Sequence, residues 1–503
     1  MVSAPRKITL LYFTALTLLV VVLRLPSLNL LLDTDSSVNA FFARQMLRGE
    51  ILYDRFHPAH HLPGIYYTFV LAFKLFGDNP VTPKLLLIVF MLSSTWLLFL
   101  MGRMFFNDFA GVLSAAFYIL TSSQLYLAGM TAEMEHFANL PLIATIFLFL
   151  LLLRKNASAT QFTWVGLLSA VCVLYKITFV GSLAAAGVSM LIWAWRERGQ
   201  PNSGRKLFSH LSLIALGFIL PLTLVGGYFA SKGLWQRLMF VFKLGVNYVN
   251  DTSLIIVFPK PFGFPLFMVA MNNIALLVFG LFGVYRLTRR AFPLRTMKDL
   301  TDFTLVVWLI ISFALAGFRG GGFPHYPLIV IPPLALMGGF EISSNYQPWR
   351  GTASPKHAWL GAGIMTALIL INFLWRNYDL YHQFIPDRSG QETTYQSSKE
   401  QQNKLFDYIK SHTTPDDFIY VWSINLQPYY YADRLPPIDI LWPSYVSATG
   451  PPERIFIPRT KYIIVDDAKI FFRPQWLLDG LKQNYHLETV INRMEIYRRT
   501  TSQ

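Results

Sequence analysis

The sequence predicts a polytopic α-helical membrane protein with about 11 transmembrane helices and a small α/β domain after the last of them. Three observations carry this. Of 503 residues, 53% are hydrophobic and 14% charged, whereas a soluble chain has about 25% charged. The apolar residues form long runs separated by short basic loops. After Trp375 the composition turns soluble-like, with strand and helix patterns. A net charge of +15 would suggest nucleic acid in a soluble chain, but here Lys and Arg sit between apolar runs, where they set topology, so nucleic acid is discounted as a partner. Cys172, the single cysteine, lies in an apolar run, which excludes an intramolecular disulfide and a cysteine metal cluster.

Taken in order, the apolar runs fall at about 8–32, 84–102, 110–128, 138–153, 162–176, 177–195, 209–229, 264–285, 301–318, 326–340 and 358–376. Arg6 and Lys7 precede the first run as in a signal peptide, but no small-residue cleavage site follows, so this run is read as a retained span. Arg6 and Lys7, Arg103, Arg154 and Lys155, the Arg196 to Lys206 and Arg286 to Lys298 clusters, and Arg350 with Lys356 then share one side, the cytoplasm. This predicts a multi-pass membrane protein. Its first loop (33–80), the Thr131 to His136 turn, the 230–262 loop, the Arg319 to His325 turn and everything after Trp375 face the outside. Lys176 interrupts the run 162–195 and marks either a hairpin tip or a boundary lysine reaching a headgroup.

The first loop concentrates acids, bases, histidines and aromatics between two apolar segments, which makes it the candidate active-site loop. Within it, Ser36 to Arg48 reads as an amphipathic helix with Val38, Phe41, Phe42 and Met46 on one face, capped by Asp35 or Ser36, ended by Gly49, and lying flat on the membrane. Asp33 and Asp35 then stand at its amino end, beside free backbone N–H groups that favour negative charge. Residues 1–376 form the transmembrane domain and 377–503 the outer α/β domain. In the latter, Phe418 to Trp422 and Tyr462 to Val465 read as buried strands, Lys404 to Lys410 and Pro474 to Tyr485 as helices, and His486 to Ile491 with Met494 to Arg498 as a closing strand pair. No metal-ligand spacing, P-loop or nucleophile elbow occurs in that domain.

Several stretches together resemble a family. Thr34-Asp35-Ser36-Ser37-Val38, Gly49 to Arg55, His61-Leu62-Pro63-Gly64-Ile65-Tyr66-Tyr67 and Phe73 to Gly77 are similar to the first extracytoplasmic loop of the GT-C glycosyltransferases, which include protein O-mannosyltransferases and lipid A aminoarabinose transferases. Glu135-His136-Phe137 resembles a second acidic loop of that family, and Pro324-His325-Tyr326-Pro327 before Pro332-Pro333 its late Pro-His-Tyr segment. Where family loops commonly carry an Asp-Glu pair, this chain has Asp35-Ser36; where many have Tyr-Arg-Asp, it has Tyr53-Asp54-Arg55; and His61 replaces a lysine.

The resemblance implies an inverting glycosyltransferase of GT-C type. Such an enzyme moves a sugar from a polyprenyl-phosphate donor to a cell-envelope glycan, lipid or protein acceptor, with membrane lipids around it. That reaction needs a carboxylate to take the acceptor proton and cationic or hydrogen-bonding groups for the departing phosphate. Asp35 is the candidate base and Asp33 its reserve; Arg55, His60, His61 and Lys176 are candidates for the phosphate; Glu135, His136, His325 and Tyr326 line the site. Each also has a plainer role open to it: Asp35 as a helix cap, His60 and His61 as interfacial anchors, Glu135 as an ion-pair partner, His325 and Tyr326 as an aromatic belt. No cofactor is required by any spacing, although Asp33, Asp35, Glu133, Glu135 and the loop histidines are ligand types that suit a divalent metal ion. The alternative class, a transporter or flippase of lipid-linked sugars, calls for paired repeats and charges at mid-membrane. The polar residues here cluster outside instead.

Overall fold

Long apolar runs in a chain that must satisfy its own backbone become helices, and the computed structural model is built mainly of them. It describes residues 6–250, 260–317, 323–345, 371–375, 377–378, 394–448, 452–466 and 473–500. Seven helices among these are long and apolar enough to cross a membrane, and shorter apolar helices cover Gly64–Phe76, Asp108–Ser122 and Ala159–Tyr175. Most of the expected run at 358–376 lies outside the described residues.

One compact unit comprises Met1–Leu28, Leu85–Tyr228 and Tyr248–Leu380. Its helices are α1 (Arg6–Asn29), α4 (Thr82–Phe105), α5 (Asp108–Ser122), α6 (Met134–Arg154), α7 (Thr163–Tyr175), α8 (Gly181–Arg196), α9 (Ser203–Ser231), α11 (Lys260–Ala291), α12 (Met297–Ala316) and α13 (Ile331–Asn345), some of whose ends run past the unit's bounds. α13 packs between α5 and α11, α12 against α8 and α11, and α6 against α7. Local chemistry fixes several starts. The Asn107 side chain accepts from the Ala110 amide to cap α5, and Thr296 with Asp299 forms a reciprocal capping box on α12. Non-helical backbone at Asn273 kinks α11, and that residue repairs the break itself: its Oδ1 accepts from the Leu276 amide at 2.9 Å and its Nδ2 donates to Thr121 Oγ1 at 2.8 Å.

α7 and α9 meet backbone to backbone. A Cβ at Gly166 would stand 2.0 Å from the Ile214 carbonyl oxygen, and one at Gly217 2.0 Å from that of Thr163. Small residues permit this approach where lipid supplies no hydrophobic drive between helices. Gly166→Ala is therefore expected to cost about 1–3 kcal/mol through overpacking, read as a lower unfolding temperature in detergent. Gly187→Ala in α8 is the control: no described residue lies within 4 Å of a Cβ placed there, so no loss is expected.

The second unit comprises Asn29–Lys84, Phe229–Asn247 and Tyr381–Gln503. It holds α2 (Thr34–Leu47), α3 (Gly64–Phe76), most of α10 (Trp235–Asn250), α14 (Thr394–Ser411), α15 (Gln427–Tyr431) and α16 (Gln475–Asn484). Strands β1 (Phe418–Trp422), β2 (Thr460–Asp466), β3 (Tyr485–Ile491) and β4 (Met494–Arg499) form one sheet in the order β1-β2-β4-β3, with β1 and β2 parallel and the other pairs antiparallel. Both expected strands and the closing pair are present. Tyr420, Trp422, Ile463 and Val465 pack with Leu477 and Leu481 of α16 in its core.

Three local expectations need correction. α2 begins at Thr34 with Asp33 at its N-cap position, so Asp35 falls in the first turn and is not the cap. Nor does α2 expose a polar face: Ser36, Ser37, Asn39 and Gln45 are buried along with Val38, Phe41 and Phe42, because α3 and α15 cover it. Gly49 does end the helix, at φ +101°. The 230–262 segment, expected as a loop, contains α10. Leu238, Val241 and Leu244 bury one stripe of it, while Arg237 and Lys243 keep its hydropathy below that of a span.

Candidate active site

In the first unit the sequence-selected residues gather around the amino end of α6. Glu133 occupies the N-cap position, and the helix starts several residues ahead of the apolar run, so Glu135 and His136 sit in its first turn. Glu135 is 1% exposed. Lys176 lies where α7 breaks into extended backbone before the 3-10 turn Ile177–Val180, which frees its side chain to reach across. Its Nζ donates to Glu135 Oε1 at 2.9 Å and stands 3.9 Å from the centre of the Tyr326 ring. His325 lies between the two acids, with Nδ1 3.8 Å from Glu133 Oε1 and Nε2 3.9 Å from Glu135 Oε1. Glu135 Oε2 is buried without a hydrogen-bond partner among the described residues.

His136 turns the other way. Its Nε2 is 3.1 Å from the Ala128 carbonyl oxygen and its Nδ1 3.5 Å from Arg24 Nη2. Arg24, buried in α1, also donates to the carbonyls of Gly129 and Ser122. His136 is thus a strut for the 122–136 segment, with His325 within electrostatic reach of its ring. Arg24 escaped the sequence reading because one arginine near the end of an apolar run reads as a topology charge.

In the second unit, Asp33 and Asp35 stand at the amino end of α2, as expected. Asp33 Oδ1 is buried without a hydrogen-bond partner among the described residues, and Lys84 is within electrostatic reach of this acid. Lys84 also donates to the Leu30 carbonyl oxygen. Asp35 lies close enough to the buried Tyr66 to interact with its hydroxyl electrostatically, and that hydroxyl is 3.2 Å from His61 Nδ1. The His60 and His61 rings are 4.4 Å apart, and the Tyr445 hydroxyl is hydrogen-bonded to His60 Nδ1 at 2.9 Å. The loop is held by Tyr53 at φ +72°, whose hydroxyl donates to the His61 carbonyl oxygen at 3.0 Å. Arg237 donates to the Tyr53 carbonyl and, at 3.2 Å, to Asp439 Oδ2. Arg55 turns to solvent, where it pairs with Glu50 at 3.3 Å and covers Phe56.

His57 anchors the same loop without chemistry. Its ring is buried with Nε2 2.8 Å from the Arg237 carbonyl oxygen, and burial pushes its pKa from 6.5 down to about 4. Between those values the unfolded chain holds a proton that the folded chain lacks. Stability is therefore full above pH 6.5 and falls by up to about 3 kcal/mol as pH drops toward 4. His57→Asn is expected to shrink that acid-side loss in unfolding scans between pH 7 and 4; an unchanged slope would assign the loss to other groups.

Residues 57–224 match the family model described as dolichyl-phosphate-mannose-protein mannosyltransferase. That segment includes His60, His61, Glu135, His136 and Lys176, and leaves out Asp33, Asp35, Arg55, His325 and Tyr326. No curated protein matches the chain. Among solved structures, the chain is similar to ArnT from Cupriavidus metallidurans in the apo state, with a TM-score of 0.63 and 14% identity over 98% of each chain. The same protein bound to undecaprenyl phosphate aligns at a TM-score of 0.59, with 13% identity over 99% of each chain. The Archaeoglobus fulgidus oligosaccharyltransferase in its apo form aligns at 0.59, with 13% identity over 98% of this chain and 74% of that one. At such identities the likeness speaks for fold, and it runs the length of the chain. The chain thus shares its fold, over nearly its whole length, with ArnT and the archaeal oligosaccharyltransferase, and it matches the mannosyltransferase family model over residues 57–224.

Proposed function

We propose that the protein transfers a sugar from a polyprenyl-phosphate donor to an acceptor hydroxyl or amine, with inversion, on the extracytoplasmic face of the plasma membrane. The observation that carries this reading is the family match through residues 57–224, joined to the full-length fold likeness to a protein whose structure holds undecaprenyl phosphate. The acceptor oxygen or nitrogen forms a bond to the anomeric carbon, and its proton passes to Asp35. The bond from that carbon to the phosphate oxygen breaks, and polyprenyl phosphate leaves with the electron pair. Asp33 is the reserve base. Lys176, His60 and His61 are the groups assigned to the phosphate. Arg55 is the weakest member of that set, since Glu50 already engages it.

Residues 377–503 are assigned to acceptor selection, and the acceptor class is a glycan, lipid or protein of the cell envelope. A divalent ion also fits the residues present. Glu133, Glu135 and His325 offer oxygen and nitrogen ligands, and the buried Glu135 Oε2 lacks a hydrogen-bond partner among the described residues. Bound there, an ion would neutralise phosphate charge. One oligosaccharyltransferase structure similar in fold is a complex with zinc and sulfate.

The test is release or transfer of label from a panel of radiolabelled polyprenyl-phosphate sugars by the purified protein. Turnover of one donor supports the reading and names the sugar. No turnover of any, together with movement of lipid-linked sugar across proteoliposome membranes, would replace it with the flippase reading.

A further inference from the structure

The carboxyl-terminal end of α11 carries Arg286, Arg289 and Arg290 within two turns, far more cation than an ordinary helix end. Two of the three are engaged by acids. Arg286 pairs with Glu341 of α13 at 2.9 Å and donates to Asn345 Oδ1 at 2.7 Å. Arg290 pairs with the buried Asp302 of α12, with its guanidinium 4.6 Å from the centre of the Phe340 ring. Arg289 meets no carboxylate among the described residues, and its Nη1 donates to the Tyr285 hydroxyl at 3.1 Å. A cavity of about 490 Å³ lies here, lined by Phe282, Tyr285, Arg286, Arg289, Arg290 and Glu341.

The stripe leading into this cavity is graded. Phe282, Tyr285 and Arg289 follow at helical spacing on one face of α11, with Phe282 59% and Tyr285 60% exposed. An apolar ring, then an amphipathic ring, then a cation is the order of a helix leaving the hydrocarbon through the interface. A soluble phosphate would have no use for the exposed Phe282. We propose that this cavity is a binding site for the phosphate headgroup of an anionic glycerophospholipid, with Arg289 and Arg286 on the phosphate and the acyl chains along Tyr285 and Phe282. The ligand is a bilayer phospholipid at a site that shares no lining residue with the Glu133, Glu135 and His325 cluster, and its binding does not depend on sugar transfer.

The test uses the full-length protein in nanodiscs and native mass spectrometry. Wild-type protein is expected to retain phosphatidylglycerol or cardiolipin in preference to phosphatidylcholine, and Arg289→Gln to lower that retention at least fivefold. Arg295→Gln removes an exposed cation just beyond α11 that does not line the cavity, and is expected to leave retention within twofold of wild type. Equal losses in both variants would reduce the effect to diffuse surface charge and overturn the site. Retention unchanged in Arg289→Gln, or equal for zwitterionic lipid, would overturn it as well. Among the described residues Arg289 makes no ion pair, so unfolding of that variant is not expected, and an unaltered unfolding temperature checks it.

Discussion

Asp35→Asn is expected to lower sugar transfer by about 10²–10⁴-fold, the range that loss of a positioned general base produces, with little change in the unfolding temperature. The contrast separates the two roles open to this residue. A carboxylate in the first turn of α2 that served only the helix dipole would contribute about 0.3–1 kcal/mol of stability and nothing to rate. Asn keeps the shape and removes the proton acceptor. Asp33→Asn is the matched comparison, because Asp33 holds the N-cap position and has a buried oxygen without a hydrogen-bond partner among the described residues. Initial rates of both variants with the productive donor decide between them. A wild-type rate in Asp35→Asn with a collapse in Asp33→Asn would move the base by two residues.

Lys176→Met is expected to destabilise the protein by about 3–5 kcal/mol, since it leaves Glu135 as a buried carboxylate stripped of its cation. Adding Glu135→Gln should recover most of that loss, because the double variant has no uncompensated charge. The double variant also answers the functional question. If Lys176 holds donor phosphate, the refolded pair binds polyprenyl phosphate at least tenfold more weakly than wild type, as measured by titration in detergent. Wild-type affinity in the stable double variant would reduce Lys176 and Glu135 to a structural ion pair.

Much of the architecture was legible because its causes are local or periodic. Apolar runs fell on helices, seven of which are long and apolar enough to cross a membrane among the described residues, and the strand signals at Phe418 to Trp422 and Tyr462 to Val465 fell where the sheet lies. Reading failed where burial comes from distant partners. α2 reads as an interfacial helix because Ser36, Asn39 and Gln45 are polar, yet α3 and α15 cover those residues. α10 is interrupted by Arg237 and Lys243, and its buried stripe is visible only once Tyr53 and Asp439 are known to satisfy Arg237. At the site, residue type found Glu135, His325, Tyr326 and Lys176 but not their pairing, since Lys176 is 41 residues from Glu135 in the chain. Arg55 stands out in the sequence for the bidentate fork it offers a phosphate; that Glu50 pairs with it at 3.3 Å required coordinates.

Arg24 carries a consequence for biogenesis. It lies in the first span, and its acceptors at Ser122 and Gly129 come 98 and 105 residues later. At synthesis rates of about 5–20 residues per second, roughly 5–20 s pass before those carbonyls exist. During that interval α1 enters the membrane with a cation whose insertion at the centre of a helix would cost about 2.5–3.5 kcal/mol, and less near the end where Arg24 sits. Integration of the first span and arrival of the 122–136 segment are thereby coupled in time, so that a nascent chain stalled before Ser122 holds its first helix by apolar residues alone.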